Sequence, residues 1–378
     1  MCKRLLFGLW ILWLSAVFCQ SLLTSIIALG WIYRWVCVDS HRHLFKCSPL
    51  ADTTTWQDFS SQHPDLQALQ TVPRYFQVQP GISSEGNRIQ RFFHKRFHSF
   101  WLNGRQGWSG ILTTWSLTLL PCLIWSWAWY TGWQISFTKL YEESATGFSM
   151  GLLGFLLFTA VMFYLPVAQA RHAFTRDWGS FFQVRFLCAL INQFPLRYAL
   201  LALGYVGSSF VLLYFKALPA FFPSMNPLLA DLSIPESLEL LNRYYFYTGS
   251  LAFILVVILR TWAGRLYTSG LPILWTQSRW PVDTFHEQEV QLLERLQIGY
   301  GSASRSQGLV KRLLQGPFSL TYRVGLFLAT LLLWSLFSFT PFISEFAHYY
   351  PVAGFLNQPL VHLPSFRYVP EHLQAETT

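Results

Sequence analysis

The run Cys37-Val38-Asp39-Ser40-His41-Arg42-His43-Leu44-Phe45-Lys46-Cys47 holds the residue types best suited to chemistry. Cys37, His41, His43 and Cys47 offer two thiols and two imidazoles, the ligand types of tetrahedral zinc. The spacing C-x3-H-x-H-x3-C is not a usual zinc pattern, and Arg42 and Lys46 would repel a cation. The run therefore reads either as a metal site or as a basic loop beside a membrane. A second set is Arg171, His172, Arg176 and Asp177, with Arg185 and Arg197 downstream. Guanidinium forks suit phosphate, so Arg171, His172, Arg176, Arg185 and Arg197 are candidates for an anionic ligand or a lipid headgroup. The plainer reading is that these charges hold a loop on one side of a membrane. Within the set, Arg171, His172 and Asp177 form the polar cluster a lipid-modifying enzyme would need. His94 and His98 are spaced to share a helix face, but no carboxylate accompanies them. Arg260 lies inside an apolar run, one turn from Gly264-Arg265, where snorkelling to the interface would explain it.

The elements that must position these residues are apolar. The chain of 378 residues is 52% hydrophobic and 12% charged, well below the charge of soluble domains. An aromatic share of 18% fits rings gathered at membrane–water boundaries, as at Trp125, Trp127, Trp129, Tyr130 and Trp133. Apolar stretches of spanning length recur, which predicts an all-α integral membrane protein. It has about six apolar helical segments and amphipathic surface helices on the cytoplasmic side. Residues 1–38 form an N-terminal apolar segment. Residues 39–108 form a cytoplasmic loop with a basic amphipathic helix over 88–101, ended by Asn103-Gly104. Residues 109–276 are a four-span core and 277–319 a cytoplasmic linker with an amphipathic helix over 285–298. Residues 320–343 are the last span, and 344–378 an irregular extracytoplasmic tail.

The apolar run from Leu5 to Val36 is too long for one span, at roughly 48 Å of helix against about 30 Å of hydrocarbon. It is either one tilted helix or a re-entrant hairpin broken near Cys19-Gln20-Ser21. Cleavage as a signal peptide is not expected, because Phe18 fills a place that wants a small residue and the run continues beyond it.

Charge gives an orientation. Regions 39–108, 171–197 and 265–323 carry 8, 4 and 7 Lys/Arg, whereas regions 134–148, 216–243 and 344–378 hold Lys139, Lys216, Arg243 and Arg367 against eight acids. By the positive-inside rule the first set is cytoplasmic and the C-terminus extracytoplasmic, in a multi-pass protein of the cell membrane. The net charge of +9 then reflects contact with the lipid bilayer and anionic lipid headgroups, and no nucleic-acid-binding pattern is present. Six scattered cysteines do not make a disulfide framework. The span centres hold no Asp, Glu or His, and no cofactor, P-loop or nucleophile-elbow motif occurs.

Several short motifs recur in a recognisable order. They are Gly30-Trp31-Ile32-Tyr33-Arg34, Trp101-Leu102-Asn103-Gly104, Leu165-Pro166-Val167-Ala168-Gln169-Ala170-Arg171-His172-Ala173, Asp177-Trp178, Phe181-Phe182, Asn192-Gln193-Phe194-Pro195-Leu196-Arg197-Tyr198 and Gly264-Arg265-Leu266-Tyr267. In that order, over about residues 5–275, the chain resembles the bacterial and archaeal multi-pass family called domain-of-unknown-function 4013. The insert 39–99 and the C-terminal helix depart from that family's compact pattern. The resemblance implies an architecture and no reaction. Three functions fit. The first is a scaffold or accessory subunit that meets another membrane protein through cytoplasmic surface helices. The second is a transporter or channel for an uncoupled or lipid-like solute, and the third a lipid-modifying enzyme.

Overall fold

The computed structural model describes residues 2–76, 88–128, 145–226, 229, 232–302, 309–348 and 359–366. Among the described residues the fold is all-α, and six helices are long and apolar enough to cross a membrane. Helix α1 is Cys2–Phe18 and α2 is Leu22–Lys46, so the N-terminal run breaks at Cys19-Gln20-Ser21. The halves are unequal. Helix α2 continues ten residues past Val36 and alone reaches spanning length, which leaves α1 as a separate helix with Leu6, Leu9, Trp10 and Trp13 exposed. Its other face turns inward, where Ser15 and Tyr75 share a 2.7 Å hydrogen bond.

The short helix α3, Trp56–Ser61, belongs to a segment folded over the end of α2; Arg42 anchors that segment by donating to the Gln70 carbonyl at 2.6 Å. Helix α4 runs unbroken from Arg88 to Ala128. This corrects the expectation of a surface helix ended at Asn103-Gly104 and a separate span. Asn103 is fully buried, and its side-chain oxygen accepts from Arg34 at 2.8 Å, so a polar residue that reads as a helix stop has a tertiary partner instead. Here α2 and α4 touch backbone to backbone. A Cβ on Gly30 would stand 1.7 Å from the Asn103 carbonyl oxygen, and one on Gly107 1.9 Å from that of Ile26.

Helix α5 is Ala145–Thr175, followed by the short α6, Trp178–Phe181, and α7, Val184–Ile191. Asp177 is the N-cap of α6, its carboxylate accepting from the Ser180 N–H at 2.7 Å. Helix α8, Pro195–Ala217, is the next span, and the one-turn α9, Phe222–Met225, follows it. Helix α10 is continuous from Ile234 to Gln277, about 66 Å at 1.5 Å per residue, so it projects beyond the hydrocarbon. Its first turn, Ile234-Pro235-Glu236, is closed by a Ser233–Glu236 capping box.

Helix α10 is the spine of the bundle. Gln20 reaches its Tyr245 carbonyl, Trp35 donates to Thr261, Asp39 pairs with Arg265 at 2.8 and 3.0 Å, and Tyr244 donates to the Phe215 carbonyl of α8. Helix α11, Glu287–Arg295, buries Leu292 and Leu293 and reaches α5 through Glu289, and α12 is Leu309–His348.

The tail departs most from expectation. Residues 359–366 are irregular, but they lie inside the bundle and not in solvent, with Leu360, Val361, His362, Leu363 and Phe366 all buried. Polar groups on α4, α5 and α10 receive this segment.

Candidate functional site

Two places gather polar side chains. The first lies at the basic end of α5. Arg171 and His172 are adjacent in sequence, so their side chains leave the helix about 100° apart and serve different partners. Arg171 is fully buried and not open to a headgroup. Its Nε and Nη2 meet the two Glu289 oxygens at 2.7 and 3.0 Å, its Nη1 donates to Gln183 at 2.6 Å, and it lies over the Phe186 ring. Glu289 also accepts from the Tyr267 hydroxyl and, at 2.8 Å, from the His286 N–H. The proposed anion-binding residue is thus already neutralised, because α11 brings its own carboxylate to it. Arg176, Arg185 and Arg197 are exposed, and Arg197 stacks over Phe194. The five residues do not converge on one ligand.

His172 turns the other way. Its Nε2 lies 3.1 Å from Ser109 Oγ on α4, and its Nδ1 lies 3.0 Å from the Asp177 carbonyl. Trp178 Nε1 donates to the same Ser109 oxygen at 3.3 Å. Arg176, at φ 57°, takes the left-handed conformation that ends α5 and turns the Asp177 carbonyl back onto the ring.

The Cys–His run is helical, being the last turns of α2, and the helix splits it into two pairs. His41 stacks on Phe174 at 4.1 Å, with Nδ1 2.8 Å from the Cys37 carbonyl and 3.8 Å from the Cys37 sulfur. His43 points elsewhere, to Thr268 at 3.0 Å, with Cys47 Sγ 3.9 Å away. Positions 41 and 43 are about 200° apart around a helix, so the four donors do not face one centre. Among the described residues no three His, Cys, Asp or Glu gather as a metal site. His98 lies on α4, and the side chain of His94 lies outside the described residues.

The second place is the middle of the bundle. Arg260 is 5% exposed and does not snorkel. Its Nη2 donates to the Val361 and His362 carbonyls at 3.4 and 3.3 Å, and the guanidinium lies 5.2 Å from the Tyr33 ring centre. Nε and Nη1 have no hydrogen-bond partner among the described residues, and no described carboxylate pairs with this cation. Gln169 donates to Val361 O at 3.1 Å and to Thr114 Oγ1 at 3.0 Å. Thr118 meets His362 Nε2 at 3.3 Å, and Trp115 packs edge-on against that ring. Arg260 therefore faces two carbonyl oxygens of the 359–366 segment and the Tyr33 ring of α2.

The sequence groups His172 with Asp177 and marks Arg260 inside an apolar run, but it names the tertiary partner of neither. Ser109 and Glu289 carry no local signal, and they reach the sites from 63 and 118 residues away. Gln169 and Thr114 read as ordinary span residues until the helices are assembled. Compared with known protein families, curated proteins and solved structures, the chain matches none.

Proposed function

We propose that this protein is a transporter or channel that takes the anionic head of a lipid-like solute at Arg260 and moves it without ion coupling. The observation that carries the reading is a buried guanidinium without a counter-ion among the described residues. A charge removed from water costs several kcal/mol unless it is paired, and within a membrane such residues face functional pathways. The two carbonyls it meets are weak acceptors at long distance, and a phosphate or carboxylate would satisfy it better. Gln169, Thr114 and Thr118 add neutral polar groups suited to the rest of a headgroup. Lack of coupling is supported by the acids of the described spans. Asp39 is held by Arg265, and Glu236 and Glu239 lie at the start of α10, away from Arg260. The charge asymmetry supports a cell-membrane orientation with the basic face cytoplasmic and residues 359–366 entering from the opposite side. The architecture is also compatible with membership of the domain-of-unknown-function 4013 family.

Native mass spectrometry in mild detergent with dodecyl phosphate tests the seat. The wild-type chain retains the anion. Arg260→Gln weakens it at least about tenfold, the scale of one charge-assisted hydrogen bond of about 1.5–3 kcal/mol. Equal retention by both proteins would remove the proposal. A scaffold or accessory subunit is the second reading, favoured by Trp101 at 70% and Trp108 at 50% exposed beside the basic residues of α4. It predicts a co-purifying membrane protein released by Trp101→Ser and no dependence on Arg260.

A further inference from the structure

Ser109 and His172 take no part in the transport reading, yet their geometry is that of a nucleophile and its base. The hydrogen positions follow from the partners. A carbonyl oxygen only accepts, so the hydrogen shared with Asp177 O resides on His172 Nδ1, and Nε2 keeps its lone pair. An indole N–H only donates, so Ser109 Oγ accepts from Trp178, and its own hydrogen is free to point at Nε2, 3.1 Å away. The histidine is oriented by a third group and has the tautomer that can take a proton from serine. His172 is 2% exposed, its ring held edge-on by Tyr33 and Phe181, whereas Ser109 is only partly buried. The surround points to a substrate class. Trp108, Trp178 and Phe182 are 50%, 45% and 41% exposed, and Arg105, one turn before Ser109 on the same face of α4, and Arg176 are exposed cations. An apolar aromatic rim with cations at the end of two spans suits an amphiphile with a long chain and a negative head.

We infer that Ser109 is an acyl-accepting nucleophile, with His172 as its general base, acting on an acyl ester of an anionic membrane lipid. Ser109 Oγ bonds to the ester carbonyl carbon while its proton passes to His172 Nε2. The bond from that carbon to the alcohol oxygen breaks, and His172 returns the proton to the leaving alcohol. Water then attacks the acyl-serine, its proton going to Nε2, and the free acid leaves as Ser109 regains its hydrogen.

The full chain in mild detergent is incubated with a decyl fluorophosphonate, and the peptide carrying Ser109 is read by mass spectrometry. One equivalent adds to Ser109 with loss of fluoride, and Ser109→Ala carries none. His172→Gln keeps a hydrogen-bonding partner but no base, and it slows labelling by about 10²–10⁴-fold. Two results overturn the inference: no Ser109 adduct in protein with an intact thermal transition, or labelling as fast in His172→Gln as in wild type.

Discussion

Arg171 and Arg260 are both buried guanidiniums, and what each faces separates structure from function. Arg171 meets a carboxylate with both forks, and that carboxylate is itself satisfied by Tyr267 and the His286 N–H. Such a pair is costly to break from one side, because the survivor stays buried without its partner. Glu289→Ala should therefore destabilise the protein by about 3–5 kcal/mol and free α11 from the bundle. Thermal unfolding in detergent, with proteolysis across residues 280–300, checks this; an unchanged midpoint and unchanged cleavage would contradict it. Arg260 has two carbonyls and a ring in place of a carboxylate. From sequence the two arginines rank in the opposite order. Arg171 lies in a basic turn that looks ligand-binding, and Arg260 looks like an interfacial residue. The reversal comes from Glu289 and Val361, whose approach is tertiary and leaves no local trace.

Helices α2 and α4 show how close packing overrides local stop signals. Gly30 and Gly107 sit where the backbones meet, so an added methyl would collide with a carbonyl and not with a flexible side chain. Gly107→Ala should cost about 1–3 kcal/mol, the usual scale of overpacking. It should also weaken the neighbouring Arg34 bonds to Ser99 and Asn103. A lower unfolding midpoint checks the first effect, and a wild-type midpoint would show that the helices can separate freely. The spans themselves are legible in sequence because about 20 apolar residues are a strong signal. The break at Cys19-Gln20-Ser21 is legible only as one of two alternatives, because the same length also allows a single tilted helix. The helix ends are not. Helix α2 carries Asp39, Arg42 and His43 beyond the apolar run because Arg265, the Gln70 carbonyl and Thr268 meet them. Asn103 continues α4 for the same kind of reason. His172 and Asp177 were visible as a cluster, but Ser109 lies on another span and only the packing of α4 against α5 brings it near.

Taken whole, the molecule is a bundle whose middle is completed by a strand of irregular chain. Thr118 and Trp115 of α4 and Arg260 of α10 face His362, and Arg260 alone of these is charged. Burial, and then the Arg260 charge, hold the His362 imidazole below its ordinary range. Once released, the ring binds protons more readily than it does when seated. Seating is therefore strongest above the ordinary value of about 6.5 and weakens as pH falls below it, by about 1.4 kcal/mol per unit. Hydrogen exchange across residues 359–366 should quicken between pH 7.5 and pH 5 after correction for intrinsic rates. Equal protection at the two values would count against this. The segment also sets an order of events in biogenesis. Val361 follows Arg260 by 101 residues. At about 5–20 residues per second of synthesis, the ribosome needs about 5–20 s to bridge that gap. Throughout that interval α10 is already made while its guanidinium waits for the carbonyls that will meet it, so the nascent bundle passes through a stage in which its interior is open to lipid, water or a chaperone.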